Sequence, residues 1–169
     1  MYILKCLLYS MIVFASVQIG RVIASRYTNR YQELKECKVA LSMLQNQMEY
    51  TMKPVSEIFQ EIGKKVKHPI AMLFQKAALY MEENSAAQAW EHSIEEVGTN
   101  LSKEDKAILK DLGNVLGKTD LEGQVKGMQL VQAFLDNQIQ DALMEQKKNG
   151  KLYKTLGVVG GITIVILLV

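Results

Sequence analysis

Uninterrupted apolar sequence is concentrated at the two ends of the chain, and this distribution constrains the fold more than any motif does. Residues 2–20 carry one charge, Lys5, and as a helix they would be about 28 Å long, close to the roughly 30 Å hydrocarbon core of a bilayer. At the other end residues 156–169 are apolar throughout but would reach only about 21 Å. Including residues 152–155 extends the helix to about 27 Å, enough to span if Lys154 snorkels to the headgroups and Tyr153 sits at the interface. A buried core helix, or one lying in a single leaflet, is the other reading of so short a run. The apolar fraction of 49% is ordinary, so the average conceals a three-part chain. It is divided here as an N-terminal transmembrane helix (1–22), a helical domain (26–150) and a C-terminal transmembrane helix (152–169).

Charge then orients the chain. Apart from Lys5, every Lys and Arg lies between the apolar ends, with Arg21, Arg26, Arg30, Lys35 and Lys38 after the first and Lys147, Lys148, Lys151 and Lys154 before the second. The positive-inside rule puts the middle in the cytoplasm and both termini outside. A cleaved signal peptide is the competing reading, since Val22 and Ala24 are small enough to precede a cut, but Arg21 and Arg26 oppose export of the downstream chain. The two cysteines agree with a reducing compartment: Cys6 lies in the first anchor and Cys37 in the domain, so no disulfide is expected. Cys37 sits on an apolar stripe, which suits a small buried hydrophobe rather than a reactive thiol.

The middle reads as helices, because apolar residues recur at steps of three and four. Leu34, Cys37, Leu41, Leu44 and Met48 share one face of a helix that must end before Pro54. Pro54 opens a second helix with Val55, Ile58, Phe59, Ile62 and Val66, and Pro69 a third with Ile70, Leu73, Ala77 and Tyr80. After a break at Asn84 and Ser85, a fourth buries Trp90, Ile94 and Val97 and closes near Gly98. Ser102 and Asp105 have the spacing of a capping box for a fifth, with Ile108, Leu112 and Val115. Thr119 or Asp120 caps a long sixth helix whose stripe is Leu121, Val125, Met128, Leu135, Ile139 and Ala142, and which runs on into the second anchor with Gly150 as a hinge candidate. Short links make neighbours antiparallel, so the fold class is all-α, a six-helix antiparallel bundle flanked by two transmembrane helices.

No constellation encodes catalysis. Residues 113–119, GNVLGKT, end like a phosphate-binding loop, but that loop needs four residues between its glycines and a strand before it, and here three residues follow a helix. His68 and His92 lack partners at ligand spacing, so no metal or cofactor is expected. Glu82–Glu83 and Glu95–Glu96 are adjacent pairs whose side chains diverge around a helix. Basic residues are matched by acids with few interleaved aromatics, which supports neither a nucleic-acid partner nor a small-molecule substrate.

Two surface features remain. Gly157 and Gly161 form a small-xxx-small pair, as do Ser16 and Gly20; such pairs let membrane helices approach closely, although glycine is also simply common in them. Lys64, Lys65 and Lys67 form a basic run that reads either as a solvated face or as a partner-binding patch. With Lys53, Glu95 and Glu96 they are expected at turns far from the anchors, where a cytoplasmic partner would dock.

Several of these segments together resemble the stage III sporulation protein AB family of endospore-forming bacteria. The resemblance runs through Ala40-Leu41, Met48-Glu49-Tyr50 before Pro54, Ser56-Glu57-Ile58-Phe59, Ala89-Trp90-Glu91, Leu116-Gly117-Lys118-Thr119-Asp120 with Gln124, and Leu152-Tyr153-Lys154-Thr155-Leu156-Gly157 before the tail. It implies a domain like that of type II secretion F platform proteins, in a non-enzymatic adaptor of the mother-cell to forespore channel, the feeding tube. The implied partners are the membrane, the stage III sporulation protein AA ATPase and other channel proteins, and a homo-oligomer is compatible with it. The implied location is the mother-cell membrane around the forespore. A membrane-anchored signalling or sensor adaptor unrelated to secretion is the alternative from a different class.

Overall fold

The computed structural model describes residues 2–51, 53–116 and 120–168, with side chains described from residue 7 onward. Their regular structure is helical: α1 (Tyr2–Tyr50), α2 (Val55–Gly63), α3 (Ile70–Tyr80), α4 (Ala86–Glu96), α5 (Lys103–Val115) and α6 (Leu121–Leu168). The all-α class read from the apolar periodicity is the one observed. The sixth helix runs on into the second apolar end as expected, and the first apolar end is likewise continuous with the first bundle helix. α1 runs for 49 residues and α6 for 48 without a break, so each apolar end shares one element with a bundle helix. Gly150 lies inside α6 and interrupts nothing, consistent with the ~1 kcal/mol that one helical glycine costs.

Contacts divide the chain into two compact units, a paired-helix unit of Met1–Tyr31 with Asp141–Val169 and a bundle unit of Gln32–Gln140. In the bundle the core is built from helical stripes. Leu34, Cys37, Ala40, Leu41 and Leu44 of α1 are buried, with Ile58, Phe59 and Ile62 of α2, Ile70, Leu73, Phe74, Ala77 and Ala78 of α3, and Ala89, Trp90 and Ile94 of α4. Phe59, Phe74 and Trp90, one from each of three successive helices, meet with ring centroids 5.0, 5.5 and 5.1 Å apart in tilted and edge-on geometries, the arrangement aromatic quadrupoles favour. The Trp90 indole N–H donates to the Leu109 carbonyl at 2.6 Å and so ties α5 to the same hub.

Helix starts follow local chemistry. Ser85 and Gln88 form a capping box at α4, and Ser102 and Asp105 form the expected one at α5. Asp120 caps α6 by accepting from the Gly123 N–H at 3.0 Å, while Thr119, the other candidate, lies outside the described residues. The buried face of α5 differs from expectation: Leu109, Leu112 and Leu116 are buried with Asp105, whereas Ile108 and Val115 are half-buried. The fully buried Asp105, which belongs to the cap, rotates the inward stripe by one residue. Leu121 is 48% exposed and Val125 half-buried, so the inward stripe of α6 begins at Met128.

Long-range pairs fix which turns share an end of the bundle. Glu36 ion-pairs with Lys67 at 3.6 Å, and Glu33 accepts from the backbone and side-chain amides of Asn100. The α2–α3 turn and the α4–α5 loop therefore lie where α1 enters the bundle and α6 leaves it. Alternating helix direction puts the α1–α2 link, the α3–α4 turn and the start of α6 at the opposite end. This corrects the expected grouping: of Lys53, Lys64, Lys65, Lys67, Glu95 and Glu96, only Lys53 is at that opposite end.

Candidate functional site

The paired-helix unit brings the four small residues together. A Cβ added at Gly20 would stand 2.6 Å from the Tyr153 carbonyl oxygen and 3.0 Å from the Gly157 Cα, and one added at Gly157 would stand 2.9 Å from the Ser16 carbonyl oxygen. At Gly161 the same construction meets the Ser16 Cβ and the Val13 Cα at 3.1 Å. The backbones of α1 and α6 thus touch where side chains are absent, and the Ser16 hydroxyl donates to the Gly157 carbonyl at 2.7 Å. Where dispersion and hydrogen bonds hold helices together, close backbone approach is the means of association. Gly160 is different, because a Cβ there has only the Ser16 hydroxyl at 3.7 Å as a neighbour.

Past this crossing the contacts become polar. The Tyr27 and Tyr153 rings stack at 5.9 Å, Gln146 donates to Thr28 at 3.3 Å, and Arg30 pairs with Glu145 at 2.7 Å. On the other side of the crossing the outward surface is apolar: Leu7, Leu8, Met11 and Phe14 of α1 are exposed, as are Ile162, Ile164, Ile166 and Leu167 of α6. Both helices are long and apolar enough to cross a membrane.

In the bundle unit Lys64, Lys65 and Lys67 are all exposed on the α2–α3 turn, and Lys67 has Glu36 as its counter-ion. His68 beside them is exposed and 3.0 Å from the Met72 sulfur. Glu95 and Glu96 are exposed and engaged, Glu95 with Lys110 at 2.7 Å and Glu96 with Lys76 and the Tyr80 hydroxyl. These hydrogen bonds, with the lysine charge behind them, hold both carboxyls below the usual carboxylate range. A shallow polar depression of about 360 Å³ lies along the same face of α4, lined by Asn84, Gln88, Glu91, His92 and Glu95.

Gly113 of the GNVLGKT segment is inside α5, where a Cβ would stand 3.3 Å from the Ala87 backbone of α4. It serves close helix packing and not a phosphate-binding turn; Gly117, Lys118 and Thr119 lie outside the described residues. Cys37 is buried, and desolvation, with Glu33, Asp105 and Glu36 adding negative potential, pushes its thiol far above the ordinary value. The interaction that sequence reasoning missed is Glu33 with Asn100. Nothing local in the sequence links residues 67 positions apart, and Glu33, flanked by Gln32, Leu34 and Lys35, carries no local signal that its carboxylate is withdrawn from water.

Known proteins share this sequence and, over most of it, this fold. The family model for stage III sporulation protein AB matches residues 5–169. The curated stage III sporulation protein AB of Bacillus subtilis (strain 168) is 32% identical over 169 residues, covering 98% of this chain and 99% of the relative. A solved structure of stage III sporulation protein AB (SpoIIIAB) superposes with a TM-score of 0.67 at 28% identity, covering 71% of this chain and 98% of that one. With the family model and the relative both matching nearly end to end, and the solved structure sharing the fold over 71% of the chain, the chain belongs to the stage III sporulation protein AB family.

Proposed function

We propose that the chain is a membrane platform of the sporulation machinery. Two spans hold its bundle on the cytoplasmic side, and the bundle couples the stage III sporulation protein AA ATPase to the export apparatus of the channel between mother cell and forespore. The observation that carries this reading is the exposed apolar surface of two helices that also form the first and last elements of the bundle. A core helix of a soluble protein would bury that surface, and contiguous exposed apolar area of this kind marks contact with a membrane or a partner. The platform-protein likeness implied by the family resemblance fits a mechanical role, in which a helical domain transmits a partner's work. The basic turn of Lys64, Lys65 and Lys67 is offered as one surface for that partner.

Purification of the tagged full chain from sporulating cells tests the coupling: the ATPase is expected to co-purify, and its absence together with an unrelated signalling protein would favour the sensor reading. Reversing Lys64, Lys65 and Lys67 to Glu together should weaken recruitment while circular dichroism stays unchanged, since exposed charges contribute little to stability. A reporter inserted at Gly98, beside which a Cβ meets nothing within 4 Å, should be cytoplasmic; cleavage there by protease added to intact cells would overturn the topology.

A further inference from the structure

The paired-helix unit carries six exposed cations, Arg21 and Arg26 on α1 and Lys147, Lys148, Lys151 and Lys154 on α6. Arg30 has Glu145 as its counter-ion, whereas none of the six has a carboxylate partner among the described residues. Their heights follow from the contacts between the helices. The approach of Gly20 to the Tyr153 carbonyl puts Arg21 level with Lys154, and the Thr28–Gln146 hydrogen bond puts Arg26 level with Lys147 and Lys148. Lys147, Lys151 and Lys154 follow the i, i+4, i+7 spacing of a single helical face. At 1.5 Å per residue the set spans about 8–10 Å along the axis. A bilayer of about 40–45 Å with a core of about 30 Å leaves roughly 5–8 Å of headgroup region on each side. Collar and headgroup layer therefore have similar depth, and the collar begins where the close-packed crossing ends.

We propose that these six residues form a collar that binds the phosphate groups of anionic phospholipids, so that the protein gathers acidic lipid around its paired helices. The proposal rests on reading the two apolar segments as membrane spans. Unpaired ammonium and guanidinium groups at headgroup depth gain from each anionic lipid recruited, and a zwitterionic headgroup, with its own ammonium, offers less. Two helices held together at the crossing present the charges as one set.

The test uses the purified full chain in vesicles of equal phosphatidylglycerol and phosphatidylcholine, followed by mild extraction and mass spectrometry of the retained lipid. Phosphatidylglycerol is expected to exceed phosphatidylcholine by about fivefold or more, and the excess should fall towards parity in about 1 M salt, where the screening length is near 3 Å. The variant R21Q/R26Q/K147Q/K148Q/K151Q/K154Q should show parity at low salt, K147Q/K151Q/K154Q an intermediate ratio, and the control K53Q/K126Q, two exposed lysines at the opposite end of the bundle, the wild-type ratio. Wild-type parity, an excess that survives in the six-residue variant, or an equal loss in the control would overturn the collar. A wild-type chain that fails to float with the vesicles would instead overturn the spanning reading beneath it.

Discussion

Glu33 illustrates how the bundle keeps a charged group inside. Only 5% exposed, its carboxylate accepts from the Asn100 backbone N–H at 2.7 Å and from the Asn100 side-chain amide at 2.6 Å. A carboxylate withdrawn from water needs such donors, and here they also pin the α4–α5 loop to α1. Glu33→Ala would remove the charged acceptor of two half-buried Asn100 donors, and denaturant unfolding of the full chain should show a loss of about 1–3 kcal/mol. Cys37, one helical turn along, is buried and its thiol is held protonated by desolvation and by neighbouring carboxylates. In a Cys6→Ser background, iodoacetamide should leave Cys37 unmodified in native protein and label it quickly once denaturant opens the bundle. Fast labelling of the folded chain would show that the α1 face is not closed.

Between helices, the polar contacts on the bundle surface are matched across neighbours. Hydrogen bonding to Lys53 lowers the Glu61 carboxyl, that to Lys110 lowers Glu95, and that to Lys76, with Tyr80, lowers Glu96. A carboxyl whose folded value is depressed stabilises the fold above its unfolded value, near 4.3, and that contribution is lost as pH falls through the lower folded value. Replacing Glu61, Glu95 and Glu96 with Gln should therefore flatten the acid limb of a stability–pH curve below about pH 4.5 and change its shape little above pH 6. At the α1–α6 crossing, Gly157→Ile would force apart backbones that now meet at Ser16 and Gly20. Disulfide formation between cysteines placed at Ser16 and Gly161, where a Cβ at 161 would stand 3.1 Å from the Ser16 Cβ, should be efficient in the parent and largely lost in that variant. Helical stripes were legible in the sequence because a period near 3.6 needs only local information, and the small residues at the crossing were legible as a packing pattern. The partner of that pattern was not, because pairing of residues 16 and 20 with 157 and 161 is set by the return path of the whole chain. For the same reason the lysine turn was assigned to the wrong end: turns can be counted along a sequence, but the end each occupies depends on helix direction.

Taken whole, the chain places its hydrogen-bonded aromatic hub in a unit that has its own core. Residues 26–148, cut free of both apolar segments, should fold as a soluble helical protein with a cooperative thermal transition, and ATP should leave the midpoint unmoved. A midpoint raised by ATP would return the GNVLGKT segment to consideration as a nucleotide site. The hub has a spectroscopic consequence as well. Trp90 is the sole tryptophan in 169 residues, it is 1% exposed, and its indole N–H is fixed on the Leu109 carbonyl. Light absorbed at the red edge of the aromatic band is thus re-emitted by one dry, immobilised ring. The unlabelled full-length protein, even inside a vesicle, carries a fluorophore whose colour reports the state of the bundle alone.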